Sequence, residues 1–214
     1  MVRAEQNECE AGSAFERDLT LAESLSAPRR GPLHLVTISD VSGSDKSTLA
    51  QGLVESLGAV RLRSDVERKR LFDLPAQARP TATQAAQLYG TDVTRRTYER
   101  LQALATRLLD AGLHVIVDAA CLRRDEREAL RRVAAAHGAQ CTLIECHASK
   151  AVLRERIQRR LAANLDASDA NLAVLEHQLR TPEHATDDEQ PCRLDTDVDA
   201  TTLRDGALRW LGIA

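Results

Sequence analysis

Residues 39–48 read Ser39-Asp40-Val41-Ser42-Gly43-Ser44-Asp45-Lys46-Ser47-Thr48. This is the frame of a phosphate-binding loop, G-x-x-x-x-G-K-S/T, except that aspartate stands at both glycine positions. In an intact loop of this kind, backbone N–H groups cradle the phosphates, the lysine reaches the β- and γ-phosphates, and the Ser/Thr hydroxyl helps to hold Mg²⁺. The candidate nucleotide-binding residues are therefore Asp40, Ser42, Gly43, Ser44, Asp45, Lys46, Ser47 and Thr48.

The flanking residues supply the strand and the helix that such a loop needs. Residues 33–38 form an apolar, partly β-branched run typical of a buried strand, and residues 46–57 carry apolar side chains at helical spacing. A helix in that position would add its positive N-terminal end to a phosphate site. The alternative is an ordinary strand-to-helix turn, with Asp45 as a favourable charge near the helix start.

The two aspartates work against phosphate binding. Aspartate tolerates the left-handed backbone that glycine supplies in such loops, so we expect the loop to keep its shape. The charge is harder to accommodate, because one carboxylate about 4 Å from a phosphate charge costs roughly 4 kcal/mol at an effective dielectric near 20. That cost is on the order of a thousandfold in affinity. Pairing of Lys46 with Asp45 would reduce the repulsion but draw the lysine away from the nucleotide, so both an impaired and a retained nucleotide site are compatible with this loop.

The composition bounds the class of protein. The chain has 214 residues, which suits one α/β domain with a tail, and it carries 29 basic and 32 acidic residues. Nearly balanced charge and an aromatic content of 2% argue against a nucleic-acid partner. No apolar run is long enough to span a membrane, and no apolar secretory signal is evident. Five scattered cysteines are predicted to be small buried residues in a reducing, cytoplasmic location.

Strands and helices alternate along most of the chain. We predict a tail or linker over residues 1–32, with a short helix at 15–25, and one kinase-like domain over residues 33–214. Strands are expected at 33–38, 59–63, 113–118, 141–146 and 192–195, and helices at 46–57, 65–72, 91–110, 124–137, 150–161, 168–180 and 201–211. This alternation predicts an α/β fold with an about five-stranded parallel sheet and helices on both faces.

Four stretches of the chain resemble a known family. They read SGSDKST (42–48), LRSDVERKRLF (62–72), VIVDA (115–119) and DASDA (166–170), the last followed by Val174 and Gln178. On these residues the chain resembles the C-terminal ATP-binding half of bacterial bifunctional aminoglycoside phosphotransferase/ATP-binding proteins, also described as AAA-family ATPases. More broadly it is similar to small P-loop kinases such as gluconate kinase, zeta toxin and polynucleotide kinase. The resemblance implies a P-loop NTPase fold with a small helical lid, ATP and Mg²⁺ as cofactors, and a partner phosphotransferase-like domain in relatives.

The second of these stretches supplies a candidate catalytic pair. Asp65 and Arg68 follow the second predicted strand, at the sheet edge where ligands of open α/β sheets bind. The resemblance implies that Asp65 accepts the proton of the attacking hydroxyl and that Arg68 helps to hold the acceptor. One carboxylate that orients the nucleophile suits phosphoryl transfer, which is mostly positioning and charge stabilisation. The alternative is a capping box formed by Ser64 and Glu67 at a helix start.

Asp118 and two arginines complete the candidate site. Asp118 ends a predicted strand, where a Walker-B-like carboxylate would hold Mg²⁺ or its water shell, with Ser47 as the other metal ligand; a helix or turn cap is the alternative. The resemblance implies that Arg156 and Arg160 are lid arginines, which neutralise charge that develops in the transition state. For these two the alternative is a solvent-exposed face paired with Glu155.

Three functions are compatible with the sequence. The first is an ATP-dependent kinase acting on a small hydroxyl-bearing acceptor, whose catalytic residues are Lys46, Asp65, Arg68, Arg156 and Arg160. The second is a catalytically lapsed P-loop protein that serves as a nucleotide-binding or regulatory module, which the two loop aspartates favour. The third is a polynucleotide 5′-hydroxyl kinase, which the balanced charge and few aromatic residues disfavour. The sequence predicts nucleotide and a small molecule as partners and does not identify the acceptor.

Overall fold

The structure of the protein is a computed structural model. It describes residues 31–78, 80, 81, 84, 87–163, 171–180 and 183–213. The predicted helix at 15–25, most of the predicted tail, and the part of the predicted lid at 164–170 lie outside the described residues.

Five parallel strands form one sheet in the order β2-β3-β1-β4-β5. In chain order they are β1 (His34–Ser39), β2 (Val60–Arg63), β3 (Val115–Asp118), β4 (Gln140–His147) and β5 (Cys192–Asp195). The register places Ile38 of β1 beside Asp118 of β3 on one side and beside Ile144 of β4 on the other. Because all the strands are parallel, their carboxyl ends meet at one edge, where ligands of such sheets bind. The predicted α/β fold is confirmed.

Helices connect the strands. Those with described bounds are α1 (Lys46–Leu57), α2 (Ser64–Arg70), α3 (Thr91–Asp110), α4 (Arg124–Ala136), α5 (Lys150–Ala163), α6 (Leu172–Arg180) and α7 (Ala200–Leu211). The predicted bounds of α1 and α3 are confirmed at both ends, whereas α2 ends at Arg70 and not at residue 72. No helix in the described part of the chain combines the length and the apolar character that a membrane span requires.

An apolar core lies on each face of the sheet. Leu35 packs with α3 and α4, whereas its neighbour Val36 packs with α1 and α7, and both side chains are fully buried. Successive side chains of a strand point to opposite faces, so the continuous apolar run of β1 reflects a strand covered on both sides. Burial of these faces fixes β1 in the centre of the sheet and thereby fixes the loop that follows it.

The prediction that the cysteines are buried is wrong for Cys141. Cys121, Cys146 and Cys192 are buried as expected, but Cys141 is exposed. The reason is that the first two residues of β4 lie outside both cores, and the strand becomes buried only from Leu143 onward. Cys9 lies outside the described residues.

Candidate active site

The loop between β1 and α1 keeps the backbone of a phosphate-binding loop. Asp40, Gly43 and Asp45 have φ angles of 122°, 89° and 54°, so both aspartates adopt the conformation that glycine would supply there. The Ser44 hydroxyl donates to the carbonyl oxygen of Val41 at 2.9 Å and closes the loop. Gly43 is sterically required, since a Cβ at this position would lie 2.8 Å from the carbonyl oxygen of Leu153 in α5.

The amides at the centre of the loop are available to an anion. Among the described residues, none accepts a hydrogen bond from the backbone N–H of Gly43, Ser44, Asp45 or Lys46. These amides lie at the start of α1, where the helix end favours negative charge. The Ser42 amide, by contrast, donates to Oε1 of Gln178 in α6 at 2.8 Å. The loop is therefore an anion cradle with one of its donors covered by a glutamine side chain.

The pair between Lys46 and Asp45 that the sequence allows is not formed. Lys46 Nζ donates to the carbonyl oxygen of Val41 at 2.6 Å and lies 3.3 Å from Ser44 Oγ. Asp45 instead pairs with Arg156 of α5, with 3.1 Å between Oδ2 and Nε. The reason is that α5 packs directly against the loop and brings a guanidinium to the carboxylate.

Arg156 is held on several sides. Besides its pair with Asp45, it donates from Nη1 to Thr196 Oγ1 at 2.9 Å and from Nη2 to the Thr196 carbonyl oxygen at 2.6 Å. The alternative of a solvent-exposed pair with Glu155 is wrong for Arg156, because Glu155 pairs with Arg159.

Asp40, at the first glycine position, has only 14% of its side chain exposed. Its Oδ1 accepts from the Val41 amide at 2.6 Å, and its Oδ2 lies 3.5 Å from Nδ1 of His147. Burial is the main cause that raises the pKa of Asp40, and it outweighs the amide and Lys46, which favour the ionised form. The two aspartates therefore occupy different environments.

The two predicted metal ligands lie together. Ser47 Oγ donates to Oδ2 of Asp118 at 2.9 Å. The same carboxylate oxygen accepts from Nε of Arg61 at 3.2 Å and lies 3.6 Å from Nε of Arg63. Hydroxyl and carboxylate oxygens suit Mg²⁺, but the two guanidinium groups bring positive charge to Oδ2, the carboxylate oxygen that Ser47 contacts. As arranged, the site does not fit a directly bound Mg²⁺.

The predicted catalytic pair lies at the start of α2. Arg68 is buried and donates from Nη1 to the Leu88 carbonyl oxygen and to Thr94 Oγ1, both at 3.0 Å. Its guanidinium also lies over the ring of Tyr89, 4.9 Å from the centroid. These contacts fix the position of the Arg68 guanidinium.

The alternative of a capping box at the start of α2 is wrong. Residue Arg63 occupies the N-cap position, and no side chain caps the helix there. Glu67 is buried and pairs instead with Arg70 and Arg100, the latter at 2.6 Å.

One cavity of about 770 Å³ joins these groups along the carboxyl edge of the sheet. Among the predicted site residues, its wall contains Ser42, Gly43, Asp45, Lys46, Ser47, Thr48, Asp65, Arg68, Asp118, Arg156 and Arg160, but not Asp40 or Ser44. The structure thus brings together every predicted catalytic residue and both predicted metal ligands.

The sequence analysis missed a carboxylate in the same cavity. Glu126, in the first turn of α4, lines the wall, and burial raises its pKa. The Tyr98 hydroxyl accepts from the Cys121 amide at 2.8 Å and is hydrogen-bonded to Glu126. Glu126 lies in the first turn of the helix that follows β3, at the ligand-binding edge of the sheet, and this position could have identified it as a candidate site residue.

Comparison with known proteins agrees with this geometry. The sequence profile described as "AAA domain" matches residues 37–184. An uncharacterized protein of Mycobacterium tuberculosis is 29% identical over 174 residues, which cover 81% of this chain and 34% of that protein. The chain therefore spans about a third of the length of the curated relatives it matches.

Two solved structures are similar in fold. A sugar kinase from Janibacter sp. HTCC2649 is 23% identical with a TM-score of 0.64, and the match covers 86% of this chain and 96% of that one. The APS kinase CysC of Mycobacterium tuberculosis, in complex with AMPPNP and APS, is 20% identical with a TM-score of 0.59, covering 86% and 98%. The chain has the α/β fold of P-loop kinases, and it belongs to the AAA domain family.

Proposed function

We propose that this chain is an ATP-dependent phosphotransferase that acts on a hydroxyl group of a small acceptor, with weakened nucleotide binding. The observation that carries the proposal is the single cavity. Its wall contains the loop with the open amides and Lys46 as well as Asp65 and the anchored Arg68. Nucleotide phosphates and an acceptor hydroxyl therefore have adjoining places.

The chemistry follows from these positions. An acceptor oxygen attacks the γ-phosphorus, the bond from that phosphorus to the β,γ-bridging oxygen breaks, and ADP leaves. Asp65 takes the proton of the attacking hydroxyl, and Arg68 orients the acceptor. Lys46 moves from the Val41 carbonyl to the phosphates, and Arg160 stabilises the charge that develops during transfer. Arg156 acts through Asp45, whose charge it compensates.

Pairing with Arg156 makes the acidic loop less costly than an isolated carboxylate. We propose that nucleotide affinity is reduced by about tenfold, or roughly 1.4 kcal/mol, and not by the thousandfold of an unpaired charge. Direct binding of Mg²⁺ by Asp118 would require Arg61 to leave the carboxylate, so the proposed transfer assigns the metal no step.

A nucleotide-binding or regulatory module without transfer activity is the second candidate. It is favoured by the ion pair that already engages Asp118, the predicted metal ligand. The two candidates differ in phosphoryl transfer, which the kinase would catalyse and the module would not.

We further propose that residues 33–214 act as one domain and that residues 1–32 are a tail or linker. The described sheet and helices run from His34 to Leu211 and share two cores. In the longer relatives, we propose that a phosphotransferase-like domain occupies part of the remaining length. ATP as substrate, together with free cysteines at Cys121, Cys146 and Cys192, supports a cytoplasmic location.

ATP binding and ADP release test the function. Calorimetric titration measures ATP affinity, and a coupled assay measures ADP formation with a panel of sugars, sugar acids and polyols. Asp65→Asn is expected to keep ATP affinity and lose acceptor-dependent turnover, whereas Asp92→Asn, an exposed aspartate of α3, is expected to keep both. Absence of ATP binding would overturn both candidates, and binding without turnover on any acceptor would favour the module.

A further inference from the structure

Two arginines of β2 lie on the carboxylate that ends β3. Arg61 reaches Asp118 Oδ2 with Nε and Nη2, at 3.2 and 2.5 Å, and Arg63 Nε lies 3.6 Å from the same oxygen. Both can reach it because alternate residues of a strand project to one face. The register also sets Arg63 directly beside Asp118. The arrangement is therefore built into the pairing of the two strands.

Little of this cluster is open to solvent. The side chains of Asp118, Arg61 and Arg63 are 6%, 14% and 23% exposed. Charges in such a setting are only weakly screened by salt. Two guanidinium groups therefore face the carboxylate at the point where a P-loop kinase would place a metal ion.

The two arginines have different positions relative to the cavity. Arg63 lines the same wall as Lys46 and Ser47, whereas Arg61 is not among the lining residues and reaches Gln51 of α1 at 3.4 Å. Phosphates bound at the loop amides would therefore face Arg63, while Arg61 keeps Asp118 neutralised.

We infer that Arg61 and Arg63 replace Mg²⁺ as the counter-charge at Asp118, so that ATP binds here with little dependence on the metal, an inference that rests on the proposed function. The ligand recognised is then the metal-free nucleoside triphosphate, held by Lys46, Arg63 and the loop amides. If these ion pairs had a purely structural role, their removal would leave the effect of Mg²⁺ on ATP affinity unchanged.

The test is the ratio of ATP Kd in EDTA to ATP Kd in excess MgCl₂, measured by calorimetry at constant ionic strength. For the wild type we expect a ratio below about threefold. For Arg63→Gln, and for the double variant with Arg61→Gln, we expect the ratio to rise by about tenfold or more, because the carboxylate is then left to the metal. Arg95→Gln, on the exposed face of α3, is the matched control and should keep the wild-type ratio.

Thermal unfolding shows whether each variant is folded. If the double variant does not fold, the ratio measured for the single Arg63→Gln variant is the test. A wild-type ratio of about a hundredfold or more would overturn the inference and leave the proposed function intact. A ratio unchanged in the folded variants would also overturn it. Absence of ATP binding with and without Mg²⁺ would overturn the proposed function and this inference with it.

Discussion

Removing the charge of Asp45 is expected to tighten ATP binding. Its carboxylate lines the cavity next to Lys46, with 39% of the side chain exposed. A phosphate charge about 5 Å away is repelled by about 1 to 3 kcal/mol for effective dielectrics between about 80 and 20. Arg156 lies 3.1 Å from the carboxylate and cancels part of this repulsion. We therefore expect a net gain of about 1.4 kcal/mol, or about tenfold in Kd.

Two variants separate charge from backbone in this prediction. Asp45→Asn keeps the size of the side chain and removes the charge, and Asp45→Gly also suits the observed φ of 54°. Calorimetric titration with ATP should give a lower Kd for both variants, with a smaller gain at high salt because the repulsion is screened. If both Kd values stay within about twofold of the wild type, the carboxylate does not oppose the nucleotide. A higher Kd would mean that the pair with Arg156 orders the site.

Three further predictions concern the loop and the fold. Because burial raises the pKa of Asp40, the folded state binds its proton more tightly than the unfolded chain does, so ionised Asp40 destabilises the fold above that pKa. Asp40→Asn should therefore have a higher Tm than the wild type at about pH 7, and this Tm difference should shrink toward about pH 4. An equal Tm difference at both pH values would contradict the raised pKa of Asp40. Gly43→Ala places a Cβ 2.8 Å from the Leu153 carbonyl oxygen. It should therefore lower the free energy of unfolding, measured by chemical denaturation, by about 1–3 kcal/mol and abolish ATP binding. A variant as stable as the wild type would show that α5 can move away from the loop. Arg127 pairs with Glu189 at 2.7 Å, and the two side chains are 5% and 9% exposed. Arg127→Ala should therefore lower the free energy of unfolding by about 3–5 kcal/mol, because it leaves the Glu189 carboxylate buried without its partner. A decrease below about 1 kcal/mol would show that water reaches that carboxylate.

The sequence predicts the scaffold well because the scaffold rests on local patterns. Apolar strands, helical spacing and the K-S-T at the end of the loop are properties of neighbouring residues, and they place α1, α3 and β5 within their observed bounds. Parallel strands then bring Asp65 and Asp118 to one edge without further information. Asp65 and Asp118 could therefore be predicted from their positions after strands, whereas Arg156 and Arg160 rest on the resemblance alone.

The ion pairs inside the site could not be predicted in the same way. Arg61 reaches Asp118 across 57 positions of sequence, and Gln178 reaches the Ser42 amide across 136. Which cation meets Asp45 depends on how α5 packs on the loop, since Lys46 is adjacent in sequence and still pairs elsewhere. Local pattern gives the position of a charged residue, and only the packed fold gives its partner.

The claim that this loop still binds nucleotide phosphates is tested most directly by titrating ATP into the wild type and into Lys46→Ala in the same calorimeter. Wild type should give a measurable Kd that is lost or raised by about tenfold or more in the variant, because Lys46 lies on the cavity wall beside the open amides. No binding by the wild type, or equal binding by both proteins, would contradict a nucleotide site at this loop.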